Sequence, residues 1–174
     1  MYKRVDIFDF DGTLVYTPDF YEGKEIWEKA KGIVWPYNGW ASKSESLDLD
    51  VFYIPLNMYV YNKYLKSIND SETLTVLATG RLVKLTNEVN KILDFHGLKF
   101  DQIELNPNSN TFRFKTRLFT NLINEHKPEV FTIYDDHHSN LVEWENKWAP
   151  TQSTQINIID VTKSNKTQIV VNNK

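Results

Sequence analysis

The sequence predicts an α/β fold built around a mostly parallel β-sheet. Five short apolar runs end in polar or glycine-containing residues, and the segments between them place apolar residues at helical spacing. Strands that alternate with helices form βαβ units, whose strands run parallel to one another. The 174 residues are 41% hydrophobic and 25% charged, which is typical of a globular protein with a real core. We therefore expect a single domain over residues 1–174.

The predicted strands are the five apolar runs themselves. They cover Val5–Phe10, Leu74–Ala78, Gln102–Leu105, Val130–Tyr134 and Ile156–Val161. Asp, Thr, Gly or Asn residues stand at the ends of most of these runs. Because ligands of open α/β sheets bind beyond the carboxyl ends of the strands, these polar residues indicate where a functional site would lie.

Helices are predicted in the segments that alternate with the strands. They cover Leu56–Ser67, Leu82–Phe95, Phe112–Ile123 and a last helix that Ser139 caps and that runs to Trp148. In the second of them, Leu85, Val89 and Ile92 recur at helical spacing. Pro150 follows the last helix and provides a stop signal.

The segment 14–55 shows no clean alternation of strands and helices, and we predict that it is an inserted lid or flap. Long loops inside a compact domain are usually functional or disordered, and the aromatic content of this one argues against disorder. Its tryptophans Trp27, Trp35 and Trp40 could stack on bases or form the small core of the flap, and core packing is the favoured interpretation.

Composition excludes several classes of protein. The net charge of −3 argues against bulk polyanion binding, although a local basic groove stays open as an alternative. The absence of cysteine excludes disulfides, thiol nucleophiles and cysteine-based zinc sites. No run is apolar enough to span a membrane, and early charges argue against a signal peptide, so we expect a cytoplasmic protein. The oligomeric state stays open.

The C-terminal residues 162–174 form a separate segment rich in Asn, Lys and Thr. They contain one β-like run, Gln168–Val171. We predict that this segment is either an edge strand of the sheet or a loose tail.

The first strand ends in an Asp-Phe-Asp-Gly-Thr sequence at residues 9–13, which carries the main chemical signal. Asp9 and Asp11 are two residues apart, so their carboxylates point to the same side of a strand. Their repulsion raises the pKa of one of them unless a divalent cation binds to both. Unequal surroundings would let one carboxylate act as a nucleophile and the other as a general acid and base. The alternative is a capped turn with incidental acids.

This motif resembles the first signature of the haloacid dehalogenase (HAD) superfamily of phosphotransferases. The other signatures of that superfamily are matched in the same order by Thr79, by Lys115 and by the pair Asp135-Asp136. The resemblance implies a Rossmann-like three-layer sandwich with a five-stranded sheet of order 5-4-1-2-3. It also implies a Mg²⁺-dependent phosphatase.

The resemblance further implies a role for each acidic residue. Mg²⁺ would be held by the Asp9 carboxylate, the Asp11 backbone carbonyl and Asp136, and Asp135 would support this shell or pair with Lys115. Asp9 would be the nucleophile that forms an aspartyl-phosphate, and Asp11 the general acid and base. We expect Asp9 and Asp136 to lie within about 10 Å of each other, since magnesium demands short distances to its ligands.

Thr79 and Lys115 would contact the phosphoryl group, by the same resemblance. Further substrate-binding residues would be Phe10, Gly12, Thr13, Gly80, Arg81 and Arg113. Alternatives stay open, because Thr79 could simply cap a helix. Arg113 and Arg117 compete with Lys115 for the basic position, and a solvated helix face would explain all three.

Other residues resemble the HAD branch of Swiss Army Knife RNA repair-like proteins. They are Thr17-Pro18, Trp27, Gly32–Pro36, Ser42–Leu47, Thr79–Arg81, Phe114-Lys115 and Tyr134–His138. The branch often has Arg where this chain has His137, and it has a denser tryptophan pair than Trp35 and Trp40. This resemblance implies a role in trimming or repairing nucleic-acid ends. His137 and His138 could bind a second metal, but a loop that leads into the next helix is the favoured interpretation.

Three classes of function stay open at this point. The first is a Mg²⁺-dependent phosphatase whose substrate is a nucleic-acid terminal phosphate or a small phosphorylated metabolite or nucleotide. The second is a receiver-type signalling domain, which uses similar residues but has its acidic pair at the first strand. The third is a catalytically silent HAD fold that serves as a binding module.

Overall fold

The computed structural model describes residues 2–163 in full and residues 169–171 as backbone. Its strands are β1 (Arg4–Phe8), β2 (Thr73–Leu82), β3 (Gln102–Asn106), β4 (Val130–Asp135), β5 (Gln155–Asp160) and β6 (Ile169–Val171). Within the described residues these strands form one sheet in the order β3-β2-β1-β4-β5-β6. The first five are parallel, and β6 is antiparallel to β5. Read from the other edge, the parallel part has the order 5-4-1-2-3, so the predicted fold class is confirmed.

Helices cover both faces of the sheet. They are α1 (Phe20–Lys31), α2 (Met58–Ile68), α3 (Thr86–Phe95), α4 (Thr111–His126) and α5 (His138–Glu143), which continues into a π-helical turn over Trp144–Trp148. Along β1, Val5 and Ile7 pack in the core with α4 and α5, while Phe8 packs in the core with α2 and α3. This alternation follows from the two-residue period of a strand, and it makes the three-layer sandwich.

The sheet order excludes the receiver-type signalling domain. Receiver domains order their parallel strands 2-1-3-4-5, with β1 next to both β2 and β3. Here β1 lies between β2 and β4. That interpretation was therefore wrong.

Segment 14–55 is more regular than we expected, because it contains α1. The Asp19 carboxylate accepts hydrogen bonds from the N–H groups of Tyr21 and Glu22 at 2.8 and 2.9 Å and so caps the helix. Gly32, with φ of 71°, ends it. Only Gly23 and Trp27 of this helix are buried, so its hydrophobic period is weak, and for this reason the sequence pattern missed it.

The tryptophans of segment 14–55 form a core rather than an exposed surface. Trp27, Trp35 and Trp40 are all buried. The Trp35 ring centroid lies 5.0 Å from that of Trp27 and 4.8 Å from that of Trp40. Gly23 leaves the space that the Trp40 indole occupies, because a Cβ there would collide with the ring. The favoured interpretation of these residues as core is confirmed.

The start of α5 differs from the prediction. Its N-cap is His137, not Ser139, whose hydroxyl lies within the first turn at 3.1 Å from His137 Nδ1. The cap prediction was wrong because the chain enters the helix directly after the acidic pair, where Asp135 accepts a hydrogen bond from the His137 N–H at 2.8 Å.

The C-terminal prediction is tested only in part. Ile169–Val171 pairs with the outer parallel strand, as the edge-strand alternative requires. Gln168 and the other residues of 164–168 and 172–174 lie outside the described residues. No helix in the part of the chain described here is both long and apolar enough to cross a lipid bilayer.

Candidate active site

The acidic residues meet at one edge of the sheet because two central strands are parallel neighbours. Phe8 is in register with Tyr134, so Asp9 follows β1 beside the end of β4. The Asp9 N–H donates to the Tyr134 carbonyl at 3.0 Å, which extends the pairing by one residue. Asp135 and Asp136 therefore reach the same edge as Asp9 from the adjacent strand.

Three carboxylates converge at this edge. Asp9, Asp135 and Asp136 each offer an oxygen, and these oxygens lie within 4.8 Å of one another. The expected closeness of Asp9 and Asp136 is thus confirmed. Gly12 makes it possible, since it has a φ of 69° and a Cβ at this position would collide with the Asp136 carboxylate.

Lys115 enters the cluster from α4. Its ammonium is buried and donates to Asp9 Oδ1 at 2.7 Å and to Asp135 Oδ2 at 2.6 Å. Of the two roles expected for Asp135, the structure therefore shows the pairing with Lys115. The competing cations Arg113 and Arg117 are exposed on the same helix.

The charges of this cluster do not balance. Burial raises the pKa of Asp9 to about 8; Lys115 opposes this rise, and the charge of Asp135 adds to it. Burial alone would lower the pKa of Lys115, but Asp9 and Asp135 raise it above its usual value. Burial, with repulsion from Asp135, raises the pKa of Asp136. One ammonium thus faces three carboxylates, and a hard divalent cation such as Mg²⁺, which prefers oxygen ligands, fits this donor set.

Asp11 lies beside this cluster and has different partners. Arg81 Nε donates to both of its carboxylate oxygens at 3.0 and 2.9 Å, and Nη2 donates to Oδ1 at 2.6 Å. The Thr17 hydroxyl donates to the same Oδ1 at 2.7 Å. Asp11 is thus held in a fixed orientation by charge-assisted hydrogen bonds.

Arg81 also connects this carboxylate to segment 14–55. Its Nη1 donates to the Ala41 carbonyl at 2.7 Å and to the Ser46 hydroxyl at 2.6 Å. The side chain is buried, with 4% of the residue exposed. Its predicted contact with substrate stays a prediction, because the observed partners of the guanidinium are protein groups.

The remaining predicted residues surround the cluster in different ways. The Thr13 hydroxyl lies 3.4 Å from Asp9 Oδ2. Thr79 is buried, and its hydroxyl accepts a hydrogen bond from the Arg81 N–H at 3.0 Å. Phe10 is fully buried in the core, so only its backbone is placed to meet a substrate. Gly80 packs closely on Thr111, which begins α4 and would lie 3.0 Å from a Cβ at Gly80.

The two histidines lie outside the carboxylate cluster. The His137 ring contacts Ser139, and His138 is exposed with its Nδ1 3.6 Å from Asp160. Among the described residues, the group with metal-ligand spacing consists of Asp9, Asp135 and Asp136. His137 thus ends the loop that leads into α5 and His138 is the first residue of that helix, and among the described residues the second-metal hypothesis finds no ligand set.

Sequence patterns missed several contacts that shape the site. Ser46 reaches Arg81 from 35 positions away in the chain, and Ala41 reaches it from 40 positions away. Only the Ser-rich composition around Ser46 hinted at a role for this stretch. Thr17 was noted for its position after the first motif, but the spacing did not indicate that its hydroxyl contacts Asp11.

Comparison with known proteins gives a family and two structural neighbours. The family model described as "HAD domain family 1 in Swiss Army Knife RNA repair proteins" matches residues 13–172. A solved "Structure of Pnkp1/Rnl/Hen1 complex" has 18% identity and a TM-score of 0.53 over 85% of this chain and 44% of that chain. A "Structure of the Pnkp1/Rnl/Hen1 RNA repair complex" has 16% identity and a TM-score of 0.54 over 85% of this chain and 40% of that chain. No curated protein matches the sequence.

At these identities the two neighbours show only that this chain has a similar fold. The chain spans less than half the length of either neighbour. The family match begins at Thr13, the last residue of the first motif, and includes Thr79, Lys115 and Asp136.

Proposed function

The chain belongs to HAD domain family 1 of Swiss Army Knife RNA repair proteins, and from this premise we propose that it is a Mg²⁺-dependent phosphomonoester hydrolase that acts on phosphorylated RNA ends. One observation carries the proposal: Lys115 bridges Asp9 and Asp135, with Asp136 beside them, at the carboxyl edge of a parallel sheet. Such an arrangement suits phosphoryl transfer, where positioning and charge stabilisation supply most of the catalysis.

The cation site follows from the donor set. The carboxylates of Asp9 and Asp136 and the backbone carbonyl of Asp11 would hold Mg²⁺, which when bound neutralises charge on the phosphoryl oxygens. Lys115 holds Asp9 in place through its 2.7 Å hydrogen bond and offsets part of the negative charge. Backbone N–H groups near Phe10, together with Thr79, contact the phosphoryl oxygens.

The reaction then has two steps on residues of this chain. Asp11 begins the cycle protonated. An Asp9 carboxylate oxygen attacks phosphorus and forms an aspartyl-phosphate, while the bond to the leaving oxygen breaks and Asp11 gives its proton to that oxygen. Asp11 is then the ionised carboxylate that pairs with Arg81. In the second step Asp11 takes a proton from water, which attacks the same phosphorus. This releases inorganic phosphate and regenerates the Asp9 carboxylate. Arg81 orients Asp11 for both transfers.

RNA ends are the proposed substrate because of the family to which the chain belongs. Both structural neighbours are Pnkp1/Rnl/Hen1 complexes, and one of them is described as an RNA repair complex. The net charge of −3 gives no long-range attraction for a polyanion, so we expect contacts confined to the terminal nucleotides. The second candidate substrate is a small phosphorylated metabolite or nucleotide, which carries fewer negative charges than a polyanion and is therefore repelled less.

A phosphate-release assay separates these possibilities. The panel contains 3′- and 5′-phosphorylated oligoribonucleotides, mononucleotides and sugar phosphates, each with Mg²⁺ and with EDTA. We expect Mg²⁺-dependent release from the oligoribonucleotides, and complete loss of release in Asp9→Asn with an unchanged circular dichroism spectrum. Release confined to sugar phosphates or mononucleotides would establish the second candidate. No release from any substrate would support the silent binding module.

A further inference from the structure

The described surface has a groove next to Asp11 that the proposed reaction does not use. It is a cavity of about 360 Å³ between the start of segment 14–55 and its end. Tyr16, Pro18, Ile26 and Tyr53 contribute to its walls, together with Thr17. We call it the tyrosine groove. Thr17 belongs to both regions, since it lines the groove and its hydroxyl lies 2.7 Å from Asp11 Oδ1.

We propose that the tyrosine groove binds the nucleoside that carries the terminal phosphate of a single-stranded RNA. This inference rests on the proposed function, because it places the base of the same substrate whose phosphate meets Asp9. It assigns the substrate specificity of the site to residues outside the carboxylate cluster.

The first support is the exposure of two aromatic rings in a concave setting. Tyr53 is 79% exposed and Tyr16 is 51% exposed, and both line the same concave groove. Faces of exposed aromatic rings are the common platform on which bases of single strands stack. The cavity volume lies within the range of small-molecule sites, which is about 300–1,000 Å³.

The second support is the charge of the walls. Glu22 is the charged residue among those that line the groove in the described structure. A phosphate would be repelled by this carboxylate, whereas an uncharged base and ribose would not be. The Glu22 oxygens are acceptors for the hydroxyl and exocyclic amine donors that a nucleoside carries. The phosphate and the nucleoside of one RNA end would thus lie in separate, electrostatically suited places.

The third support is that the walls are fixed in place. The Tyr16 N–H donates to the Pro55 carbonyl at 2.9 Å, which ties the two sides of the groove together. The Pro18 carbonyl accepts a hydrogen bond from Trp40 Nε1 at 2.9 Å, and Trp40 belongs to the buried aromatic core. A preformed groove loses little conformational entropy when a ligand binds.

The test compares an oligoribonucleotide carrying a terminal phosphate with one whose terminal nucleotide lacks only its base. KM and kcat for phosphate release are measured for wild type, Tyr16→Ala, Tyr53→Ala and Tyr53→Phe. Tyr21→Ala is the matched control, since Tyr21 is 82% exposed but does not line the groove. The same pair of oligonucleotides is titrated against Asp9→Asn protein to obtain dissociation constants without turnover.

Base stacking contributes about 1–3 kcal/mol per base, which corresponds to about 5- to 150-fold in affinity. We therefore expect Tyr16→Ala and Tyr53→Ala to raise KM for the complete end by a factor in this range, with kcat unchanged. The abasic end should show no change, Tyr53→Phe should behave as wild type, and so should Tyr21→Ala.

Equal KM values and equal dissociation constants for the complete and abasic ends would contradict the proposal that the tyrosine groove binds the terminal nucleoside. If both ends release phosphate with equal KM, the proposed phosphatase activity is supported but base binding in the tyrosine groove is not. Base-dependent binding to Asp9→Asn protein, with no phosphate release by wild type, would support the groove while the proposed reaction fails. An increase in KM in Tyr21→Ala as large as that in Tyr53→Ala would also contradict the groove.

Discussion

Arg81 forms an ion pair with Asp11 through two of its nitrogens. Nη2 lies 2.6 Å from Asp11 Oδ1, and Nε lies 3.0 Å from Oδ1 and 2.9 Å from Oδ2. The remaining Nη1 hydrogen bonds go to Ala41 and Ser46. One buried guanidinium thus orients the proposed acid–base residue and holds segment 14–55 against the sheet.

Arg81→Lys should lower kcat by about 100-fold, the loss typical of a catalytic group displaced by about 1 Å. Lysine keeps the charge but cannot reproduce the planar fork that contacts Asp11, Ala41 and Ser46 together. Steady-state phosphate release measures the effect. Lys84→Ala is the control, because Lys84 is an exposed cation close in sequence. Wild-type kcat in Arg81→Lys would show that Asp11 needs no such support.

Lys115→Met should lower the free energy of unfolding by about 3–5 kcal/mol in the absence of divalent cations, because it leaves Asp9 and Asp135 buried without their ammonium. Mg²⁺ should restore part of this loss by supplying positive charge to the same carboxylates. Urea unfolding with EDTA and with Mg²⁺ measures both effects.

Lys91→Met removes an exposed lysine and serves as the control for that experiment. If Mg²⁺ stabilises neither variant, the carboxylates do not bind the ion. If it stabilises both equally, the ion binds but does not replace the charge that Lys115 supplies.

Gly12→Ala should abolish phosphate release and weaken Mg²⁺ binding, because the added Cβ collides with the Asp136 carboxylate. Gly97→Ala provides a close control: its φ is 66° against 69° at Gly12, but no atom lies within 4 Å of the added Cβ. Both variants should lose about 1–2 kcal/mol of stability from left-handed backbone strain. Calorimetric titration with Mg²⁺ and the phosphate-release assay should show weaker Mg²⁺ binding and lower activity in Gly12→Ala than in Gly97→Ala. Equal Mg²⁺ affinity and equal activity of the two variants would contradict the role assigned to Asp136.

Asp6→Asn should stabilise the protein at pH 7 on the order of 1 kcal/mol. Burial raises the pKa of Asp6, although its hydrogen bond from Ser67 at 2.6 Å opposes the rise. Above the folded-state pKa the buried carboxylate is ionised and its burial costs stability. This cost disappears as the pH falls through the folded pKa towards the unfolded value of about 3.9.

The stability difference between Asp6→Asn and wild type should therefore shrink between pH 7 and about pH 4. Urea midpoints across this range measure it, with the exposed Asp94→Asn as control. A difference that grows on acidification would show that the Asp6 carboxylate is stabilising in its ionised form.

Most of the fold followed from local patterns. The parallel strands match the predicted apolar runs to within a few residues at each end, apart from β2, which continues through a bulge between Thr79 and Leu82. That bulge contains Gly80 and Arg81, and the pattern of apolar and polar residues in the sequence does not predict it. The helix from Phe20 to Lys31 escaped prediction because so little of its surface is buried, although its Asp19 and Gly32 caps were readable signals.

The sequence by itself determined that Asp9, Asp135 and Asp136 would share one edge, because parallel strands with short apolar runs present their carboxyl ends together. Only the tertiary structure decided which partner each acid has, so that Asp135 pairs with Lys115 and Asp11 with Arg81. Strand periodicity is a local property that spacing records. Contacts between residues 20 to 70 positions apart depend on how the strands, α4 and segment 14–55 pack together, which no local pattern encodes.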